Sequence, residues 1–362
     1  MAMNSNFWQG KRVLITGHTG FKGSWLSLWL SQLGAHVSGY SLAPPTSPSN
    51  FVTSRVAEKL HTSIEADIRD LNAITNCIAK LQPEIVFHMA AQPLVRESYQ
   101  NPVETFQTNI IGTVNVLEAV RLTPSAKAVV VITSDKCYEN REWVWGYRED
   151  EPMGGHDPYS SSKGCTELVT ASYRSSYFAP SDYSKHGVGV ATVRAGNVIG
   201  GGDWSTDRLI PDLLKAHEQK AELLIRNPMA IRPWQFVLEP LGGYMTLAER
   251  LCENGAQYAE AWNFGPSESD AIPVEALIQR LSTYLDGGIR YHVSSDPVLH
   301  EAMLLKLDCS KASARLAWRP RTSINDTLQL IADWQNSLLS GQNMQAVSLA
   351  QIDAFQSLTQ GT

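Results

Sequence analysis

The chain has 362 residues, of which 43% are hydrophobic and 18% are charged, so it can bury a core large enough for two domains or one large domain. Its 30 basic and 36 acidic side chains give a formal net charge of -6, which argues against non-specific binding to nucleic acid. The five cysteines are scattered without metal-ligand spacing, and neither a signal peptide nor an apolar run of roughly 20 residues is visible. We therefore expect a soluble cytoplasmic protein with reduced thiols, no bound metal and no membrane partner.

Short β-branched segments alternate with amphipathic segments through the first half of the chain. Residues 12–17 (RVLITG) predict a strand, and Leu26, Leu30 and Leu33 share one face of a predicted helix over 21–33. The pattern continues with strands at 36–41, 63–68, 84–91 and 128–134 and helices over 70–82, about 103–121 and about 158–178. This alternation predicts an α/β fold with a doubly wound, Rossmann-type parallel sheet.

The regular alternation ends after a predicted strand at 188–196, where short strands, prolines and glycines follow. Residues 234–240 and a predicted helix over about 241–254 still match the sheet domain. We therefore predict a cofactor-binding domain of residues 1–194 plus about 232–262, and a smaller interleaved substrate domain of residues 195–231 and 263–340. The tail, residues 341–362, is polar and weakly periodic, and we assign it no role.

Gly17, Gly20 and Gly23 form a GxxGxxG motif between a predicted strand and a predicted helix. Without Cβ atoms the turn can be tight, the backbone can approach a pyrophosphate, and the helix N-terminus offers free N–H groups. The alternative is a turn that merely starts a helix. In this position the motif favours a dinucleotide.

The end of the second predicted strand leaves the type of dinucleotide open. Neither an acid for the adenosine ribose nor an Arg for a 2'-phosphate occurs between Gly39 and Thr46. The missing Arg favours NAD over NADP. Asp67, after the third strand, could accept from the adenine amino group or could be a turn or N-cap residue.

Five residues with proton chemistry follow the strand predicted at 128–134. Ser134, Asp135 and Lys136 lie at its carboxyl end, where ligands bind in doubly wound sheets. Tyr159 and Lys163 follow an Asp-Pro helix start, so they lie one turn apart on one helical face. A cation near the phenol favours phenolate, which makes Tyr159 a usable base. The alternative for Asp135 and Lys136 is a solvated turn.

With these residues in view, the chain from about Lys11 to Trp334 resembles the extended short-chain dehydrogenase/reductases that act on nucleotide sugars. The motifs that carry the resemblance are GHTGFKG, FHMAAQ (87–92), TNIIGTVNVLEA (108–119), YSSSK, RAGNVIGGGDW (194–204), IRPWQFV (231–237), WNFGP (262–266) and LDCSKASARLAWRP (307–320). Within this superfamily, TSDKCYEN together with GGHDPYSSSKGCTEL is similar to the CDP-glucose 4,6-dehydratases. The related dTDP-glucose dehydratases carry Asp-Glu where this chain has Asp135-Lys136.

The resemblance implies a NAD-dependent lyase that converts CDP-glucose into CDP-4-keto-6-deoxyglucose. Tyr159, with Ser134 and Lys163, would serve oxidation at C4 of the sugar. Asp135 would be the acid at C6 and Lys136 the base at C5, which requires a protonated Asp and a neutral Lys in a dry cleft. In a wet cleft, Lys136 would instead stabilise the enolate electrostatically, and a nearby acidic residue such as Glu139 would have to be considered.

The resemblance also implies further contacts. Cofactor contacts beyond the glycines, Tyr159 and Lys163 would come from Phe21, Lys22, Asp67, Ile68 and Ala90. Substrate contacts would come from Asn197, Arg208, Arg232 and His300, the last with Glu301, although each Arg could equally form a surface salt bridge. His88 could line the cofactor site or be a satisfied strand histidine, and Asn109 could hold the active-site helix.

The helices over 103–121 and 158–178 carry more apolar surface than one face against a sheet requires, including Leu168, Val169, Tyr173 and Tyr177. The resemblance implies that they pair into a four-helix homodimer interface. It also implies a product used for dideoxyhexoses of surface polysaccharide such as lipopolysaccharide O-antigen. The alternatives are a C4 epimerase or reductase of the same superfamily, which would not need the Asp135-Lys136 pair, and a non-catalytic NAD-binding regulator.

Overall fold

The computed structural model describes residues 5–225, 227–293 and 304–358. The strands in this part of the chain are β1 (Arg12–Thr16), β2 (His36–Ser41), β3 (Thr62–Glu65), β4 (Ile85–His88), β5 (Ala128–Ile132), β6 (Gly189–Ala195), β7 (Val198–Ile199), β8 (Glu222–Ile225), β9 (Ile231–Pro233), β10 (Gln235–Phe236), β11 (Ala261–Phe264), β12 (Ala271–Pro273) and β13 (Arg290–Val293).

The α-helices are α1 (Ser5–Trp8), α2 (Phe21–Gln32), α3 (Asn50–Thr53), α4 (Leu71–Leu81), α5 (Val95–Gln100), α6 (Pro102–Phe106), α7 (Gly112–Arg121), α8 (Pro158–Ser176), α9 (Tyr183–His186), α10 (Leu209–Glu218), α11 (Leu238–Tyr258), α12 (Val274–Ser282), α13 (Ser310–Leu316), α14 (Ile324–Leu339) and α15 (Met344–Ser357). Short 3-10 turns occupy Val56–Lys59, Asp135–Cys137, Pro180–Asp182 and Glu268–Asp270.

Within the described residues, seven parallel strands form one sheet in the order β11-β6-β5-β4-β1-β2-β3. This order reverses between β1 and β4, as in a doubly wound sheet, so the predicted Rossmann-type fold is confirmed. Residues of β5 show why both faces are covered: Val129 and Val131 pack with helices α4 and α7, whereas Val130 and Ile132 pack with α2 and α11. Successive side chains of a strand point to opposite faces, so a run of apolar residues is buried on both sides.

Most predicted elements are present with small shifts at their ends. The strand β2 has the predicted bounds, whereas β1 ends at Thr16 because Gly17 turns away with φ +77°. The prediction missed β11, which extends the sheet by pairing with β6. Residues 234–240, which were expected to belong to the sheet domain, contain the two-residue strand β10, which pairs with β7 outside the main sheet.

A smaller cluster of elements lies beside the sheet. Helices α10, α12 and α14 bury a separate core that includes Leu213, Leu277 and Leu328. Two short strand pairs, β9 with β12 and β8 with β13, accompany these helices. The division into interleaved domains remains a prediction.

The helix predicted over 103–121 is interrupted by a π-helical stretch at Gln107–Ile111, between α6 and α7. Such a stretch adds a residue to the helical turn and often occurs at functional sites. Here it contains the buried Asn109.

The tail, to which the sequence assigned no role, forms the helix α15. Its Phe355 packs edge-on against Trp29 of α2, with ring centroids 5.6 Å apart. Its buried Ser348 accepts a 3.0 Å hydrogen bond from Trp334 Nε1 of α14. Helix α15 therefore packs against α2 and α14.

Searches of residues 5–225, 227–293 and 304–358 found no helix with the length and apolar content needed to cross a membrane. In the same ranges, no group of three or more His, Cys, Asp or Glu side chains is arranged to hold a metal ion.

Candidate active site

The chain turns sharply at the carboxyl end of β5, and this turn carries three of the predicted catalytic residues. Ser134 caps the 3-10 turn Asp135–Cys137, since its Oγ accepts from Lys136 N at 3.2 Å. The same hydroxyl donates to Asp135 Oδ1 at 3.0 Å. On the other side, a Cβ at Gly196 would lie 3.1 Å from Asp135 Oδ2, so the carboxyl group is packed against the backbone that follows β6.

Helix α8 brings the other two predicted catalytic residues to this turn. Asp157 caps the helix by accepting from Ser160 N at 2.9 Å, and Pro158 occupies the first helical position. Tyr159 and Lys163 are both buried. Lys163 Nζ donates to the carbonyl of Ile132, the last residue of β5, at 3.2 Å.

The Tyr159 phenol lies beside Ser134. Burial raises the pKa of Tyr159 to about 12, while the hydrogen bond with Ser134 opposes this rise. Lys163 was expected to lower this pKa directly, but its ammonium group donates to the Ile132 carbonyl. Besides Ser134, the charge of Arg208 opposes the rise in the pKa of Tyr159.

Asp135 and Lys136 are adjacent in sequence but have different surroundings. Burial raises the pKa of the Asp135 carboxyl group, against the opposing charges of Lys136 and Arg232. Lys136 is only partly buried, and among the described residues its ammonium group has no salt-bridge partner. A buried carboxyl that favours its protonated form is suited to act as an acid.

The glycine loop has the shape that a dinucleotide diphosphate requires. The turn itself requires Gly17 and Gly23. A Cβ at Gly17 would lie 2.7 Å from Ala90 N, and a Cβ at Gly23 would lie 2.2 Å from Gly17 O. A Cβ at Gly20 would meet only Gly17 O, at 3.4 Å, so this face of the loop is open. No side chain caps the start of α2, which leaves N–H groups for an anion.

The other predicted cofactor residues surround this loop. Phe21 and Lys22 form the first turn of α2, and burial together with Lys163 and Arg208 lowers the pKa of Lys22 to about 7. Ala90 backs Gly17, and the buried Ile68 packs against Gly112.

Asp67 is held by Arg69, whose backbone N and guanidinium group both donate to it, with an Nη2–Oδ2 distance of 2.6 Å. These hydrogen bonds lower the pKa of Asp67. These contacts fit the interpretation of Asp67 as a turn residue. Its Oδ2 atom accepts from both Nε and Nη2 of Arg69.

Cations converge on the space between the glycine loop and the Asp135 turn. The charges of Lys163 and Arg208 act on Lys22, and that of Arg232 acts on Asp135. Arg208 Nη1 also contacts the buried Asp203 at 3.0 Å, which holds the guanidinium group in place. This positive region fits the phosphates of a nucleotide sugar.

Asn197 follows β6, and its carbonyl accepts from Gln235 N at 3.0 Å, which joins it to the segment after Arg232. The predicted substrate residues His300 and Glu301 lie outside the described residues.

Three further residues have clear surroundings. His88 is buried between two threonines: its Nδ1 lies 2.8 Å from Thr16 Oγ1 and its Nε2 lies 3.0 Å from Thr113 Oγ1. Burial lowers the pKa of His88 to about 3. Asn109 donates to Ser162 Oγ at 2.8 Å and so holds α8 directly. Glu139 is exposed and pairs with Arg141 at 3.4 Å.

A buried ion pair that the sequence did not predict lies behind the predicted catalytic residues. Glu167 of α8 and Arg194 of β6 form two parallel hydrogen bonds of 2.8 and 2.9 Å. Glu167 lies four residues after Lys163, so helical spacing could have placed it beside the site. Its partner, 27 residues further along the chain, could not be found from spacing.

Comparison with known proteins agrees with this geometry. A family model described as GDP-mannose 4,6 dehydratase matches residues 14–331. The chain belongs to this family. It is 54% identical over 357 residues to CDP-glucose 4,6-dehydratase of Salmonella typhimurium, covering 99% of each chain.

More distant members of the 4,6-dehydratase family share the architecture. The chain is 26% identical to dTDP-glucose 4,6-dehydratase of Haemophilus influenzae, covering 89% of this chain and 97% of the relative. The crystal structure of dTDP-glucose 4,6-dehydratase from Bacillus anthracis in complex with NAD superposes with a TM-score of 0.75 at 18% identity, covering 93% and 100% of the two chains. At this identity the superposition supports the fold.

Proposed function

We propose that this protein is a NAD-dependent CDP-glucose 4,6-dehydratase that produces CDP-4-keto-6-deoxyglucose. The observation that carries the proposal is the Ser134–Lys136 turn facing Tyr159 and Lys163, in a chain 54% identical to such an enzyme over 99% of its length. We call Ser134, Tyr159 and Lys163 the redox group, and Asp135 and Lys136 the elimination pair.

The redox group would open the reaction. Tyr159 would take the proton of the C4 hydroxyl, and Ser134, which lies beside the phenol, would hold the same sugar oxygen. Lys163, fixed on the end of β5, would bind the nicotinamide ribose. When bound, NAD supplies the hydride acceptor for C4 and later the hydride for C6. The open face of Gly20 and the uncapped start of α2 fit its diphosphate.

The elimination pair would act on the resulting 4-keto sugar. The ketone acidifies the C5 hydrogen, so Lys136 can remove this proton while Asp135 protonates the C6 hydroxyl, which leaves as water. The raised pKa of Asp135 supports its role as the acid. Lys136 would then return a proton to C5, and with the hydride that bound NAD would supply at C6 the product would be a 4-keto-6-deoxy sugar.

Binding of the substrate would depend on its diphosphate. Arg208 and Arg232 supply positive charge on the same side as Lys22, which compensates locally for the net charge of -6. Asn197 follows Gly196, which packs against the Asp135 carboxyl group, and its carbonyl accepts from Gln235 N. We assign these three residues to substrate binding.

We also infer a homodimer formed by helices α5 to α8. Several large apolar side chains on or directly beside these helices are exposed: Tyr99, Val103, Ile111, Leu168 and Tyr177. Exposed apolar residues grouped on neighbouring helices favour a partner surface of the same kind. Sedimentation at micromolar concentration should give a dimer for the wild type and a monomer for Leu168→Asp. Leu224→Asp, an exposed control on β8, should leave the dimer intact.

The cytoplasm is the proposed location, since nucleotide sugars are intracellular metabolites and all five cysteines are free thiols. The 4-keto-6-deoxy product would serve synthesis of dideoxyhexoses for surface polysaccharide.

The deciding experiment uses CDP-glucose labelled with deuterium at C4, incubated with the protein and NAD. Deuterium found at C6 of the product by NMR is the expected result, because the hydride is moved within one active site. Deuterium retained at an inverted C4 would instead indicate an epimerase, and loss of label to a reduced cofactor would indicate a dehydrogenase. Unchanged substrate would contradict catalysis on this sugar.

A further inference from the structure

Glu167 and Arg194 form a charged pair in the interior of the protein. Their side chains are 5% and 3% exposed, respectively. Thr133 Oγ1 and Thr192 Oγ1 also donate to Glu167, at 2.5 and 2.6 Å. Both carboxylate oxygens therefore have two donors each, and the buried charge is fully satisfied.

This pair touches each backbone segment that carries a catalytic residue. Thr133 immediately precedes Ser134, and Glu167 lies one helical turn after Lys163. Arg194 Nη1 donates to Tyr138 Oη at 2.6 Å, and Tyr138 follows the Asp135–Cys137 turn directly. Tyr138 in turn donates to Asn263 of β11 at 2.8 Å.

Stability alone gives a weak reason for such a pair. Desolvating two charges costs several kcal/mol per ion, and well-packed apolar residues often do as well or better. What a bidentate pair does provide is fixed geometry between two elements. Here those elements are the helix that carries Tyr159 and the strand that faces the turn.

We propose that Glu167 and Arg194 are positioning residues for the dehydratase reaction, which hold Lys163 and the Asp135–Lys136 turn in register. This inference rests on the proposed function. Helix α8 contacts two consecutive residues at the end of β5. Lys163 donates to Ile132 O, and Glu167 accepts from Thr133. Arg194 extends the attachment to Tyr138 beyond the turn.

The charge of Glu167 also acts on Lys163. Burial lowers the pKa of Lys163 to about 8, and Glu167 and Cys137 oppose this effect. Lys163 also interacts electrostatically with His88 on β4 and with Lys22 on α2. Tyr159 lies on the same helix as Lys163. Of these groups, Glu167 supplies the principal negative charge, so its removal should lower the pKa of Lys163 further.

The test compares Glu167→Gln, which keeps the shape, with Glu167→Asp, which keeps the charge. Thr170→Val is the control, because it removes a buried hydroxyl one turn further along α8 without touching Glu167. Ionisation of Lys163 is followed by competitive labelling with acetic anhydride across pH and mass spectrometry of its peptide. The pH profiles of kcat and KM for CDP-glucose are measured in parallel.

We expect Glu167→Gln to move the Lys163 labelling midpoint down by roughly one pH unit, as loss of a nearby opposite charge would do. The alkaline limb of kcat should move the same way, with kcat reduced roughly 10-fold and KM changed less than about 3-fold. Glu167→Asp and Thr170→Val should keep the wild-type midpoint.

Equal midpoints in Glu167→Gln and Thr170→Val, with losses of activity that follow thermal stability alone, would reduce the pair to a structural role and overturn the proposal. If the wild type leaves CDP-glucose unchanged, the proposed function is lost, but the labelling midpoint still decides whether Glu167 controls Lys163.

Discussion

The redox group and the elimination pair are neighbours in one site, yet they are held very differently. Lys163 is buried and bonded to Ile132 O, and Tyr159 is buried beside Ser134. Lys136, two residues from Ser134, is half-buried, and within the described ranges its ammonium group lacks a salt-bridge partner. Groups fixed by packing serve a geometric demand, such as hydride transfer, whereas a less constrained amine can exchange its proton.

The largest expected effect is at Tyr159. Tyr159→Phe removes the proposed base for C4 oxidation, on which every later step would depend. Turnover should fall by roughly 10³-fold or more, since general-base catalysis contributes about 10²–10⁴-fold. No absorbance of reduced cofactor should develop at 340 nm. Appearance of the 4-keto product at a wild-type rate would remove Tyr159 from the chemistry.

Substitution of Lys136 separates the two halves of the reaction. Lys136→Met should retain C4 oxidation while elimination falls by roughly 10²–10³-fold, because only the C5 base is lost. Lys136→Arg keeps the charge but cannot act as a base at accessible pH. Equal losses of elimination in both variants, measured by NMR of C6, would support Lys136 as the base. Full elimination by the Arg variant would instead make Lys136 an electrostatic stabiliser.

Substitution of Asp135 should lower activity but raise stability. Its pKa is raised in the folded protein, so the free energy of unfolding decreases as pH rises from about 4, the unfolded value, through the folded value. Asp135→Asn should therefore raise Tm at neutral pH, with a smaller difference near pH 4, and lower elimination roughly 10²-fold.

The measurements for Asp135→Asn are thermal unfolding across pH and the rate of product formation. A gain in Tm that is the same at every pH would show that Asp135 is not the titrating group.

The smallest expected effect is in the glycine loop, where Gly20 is open and Gly23 is closely packed. Gly20→Ala should weaken NAD binding about 10-fold in calorimetry while the free energy of unfolding changes by less than about 0.5 kcal/mol, because its Cβ meets only Gly17 O. Gly23→Ala should cost roughly 1–3 kcal/mol of stability through overpacking. Equal stability of the two variants would contradict this distinction.

The sequence predicted the sheet because apolar runs such as those of β4, β5 and β6 alternate with amphipathic segments, and Gly17 and Gly196 follow β1 and β6. It missed Ala261–Phe264 because four residues are too few to show a period. It also missed the helix Met344–Ser357, where polar residues occupy buried positions. Ser348 and Gln351 are buried by bonding Trp334 and the Leu330 carbonyl, respectively, which masks the apolar stripe.

For the site, local motifs were sufficient to find the residues of one turn and one helix face. Ser134 to Lys136 are contiguous, and Tyr159 and Lys163 are one turn apart, so their proximity follows from local structure. The partner of Lys163 did not follow, since its bond to Ile132 O and the Glu167–Arg194 pair arise from packing between distant segments. Burial, which sets the pKa of Asp135, also depends on the whole fold.

Helix α15 has a consequence for how the enzyme is made and handled. Trp334 stacks against Gly201, where a Cβ would lie 2.2 Å from the indole, and its Nε1 bonds Ser348 of α15. Gly201 belongs to the segment that leads to Asp203 and Arg208. This segment therefore gains its support only after helix α15 has been synthesised. For the same reason, an affinity tag on a chain cut short before residue 344 would purify a protein whose Arg208 is poorly held.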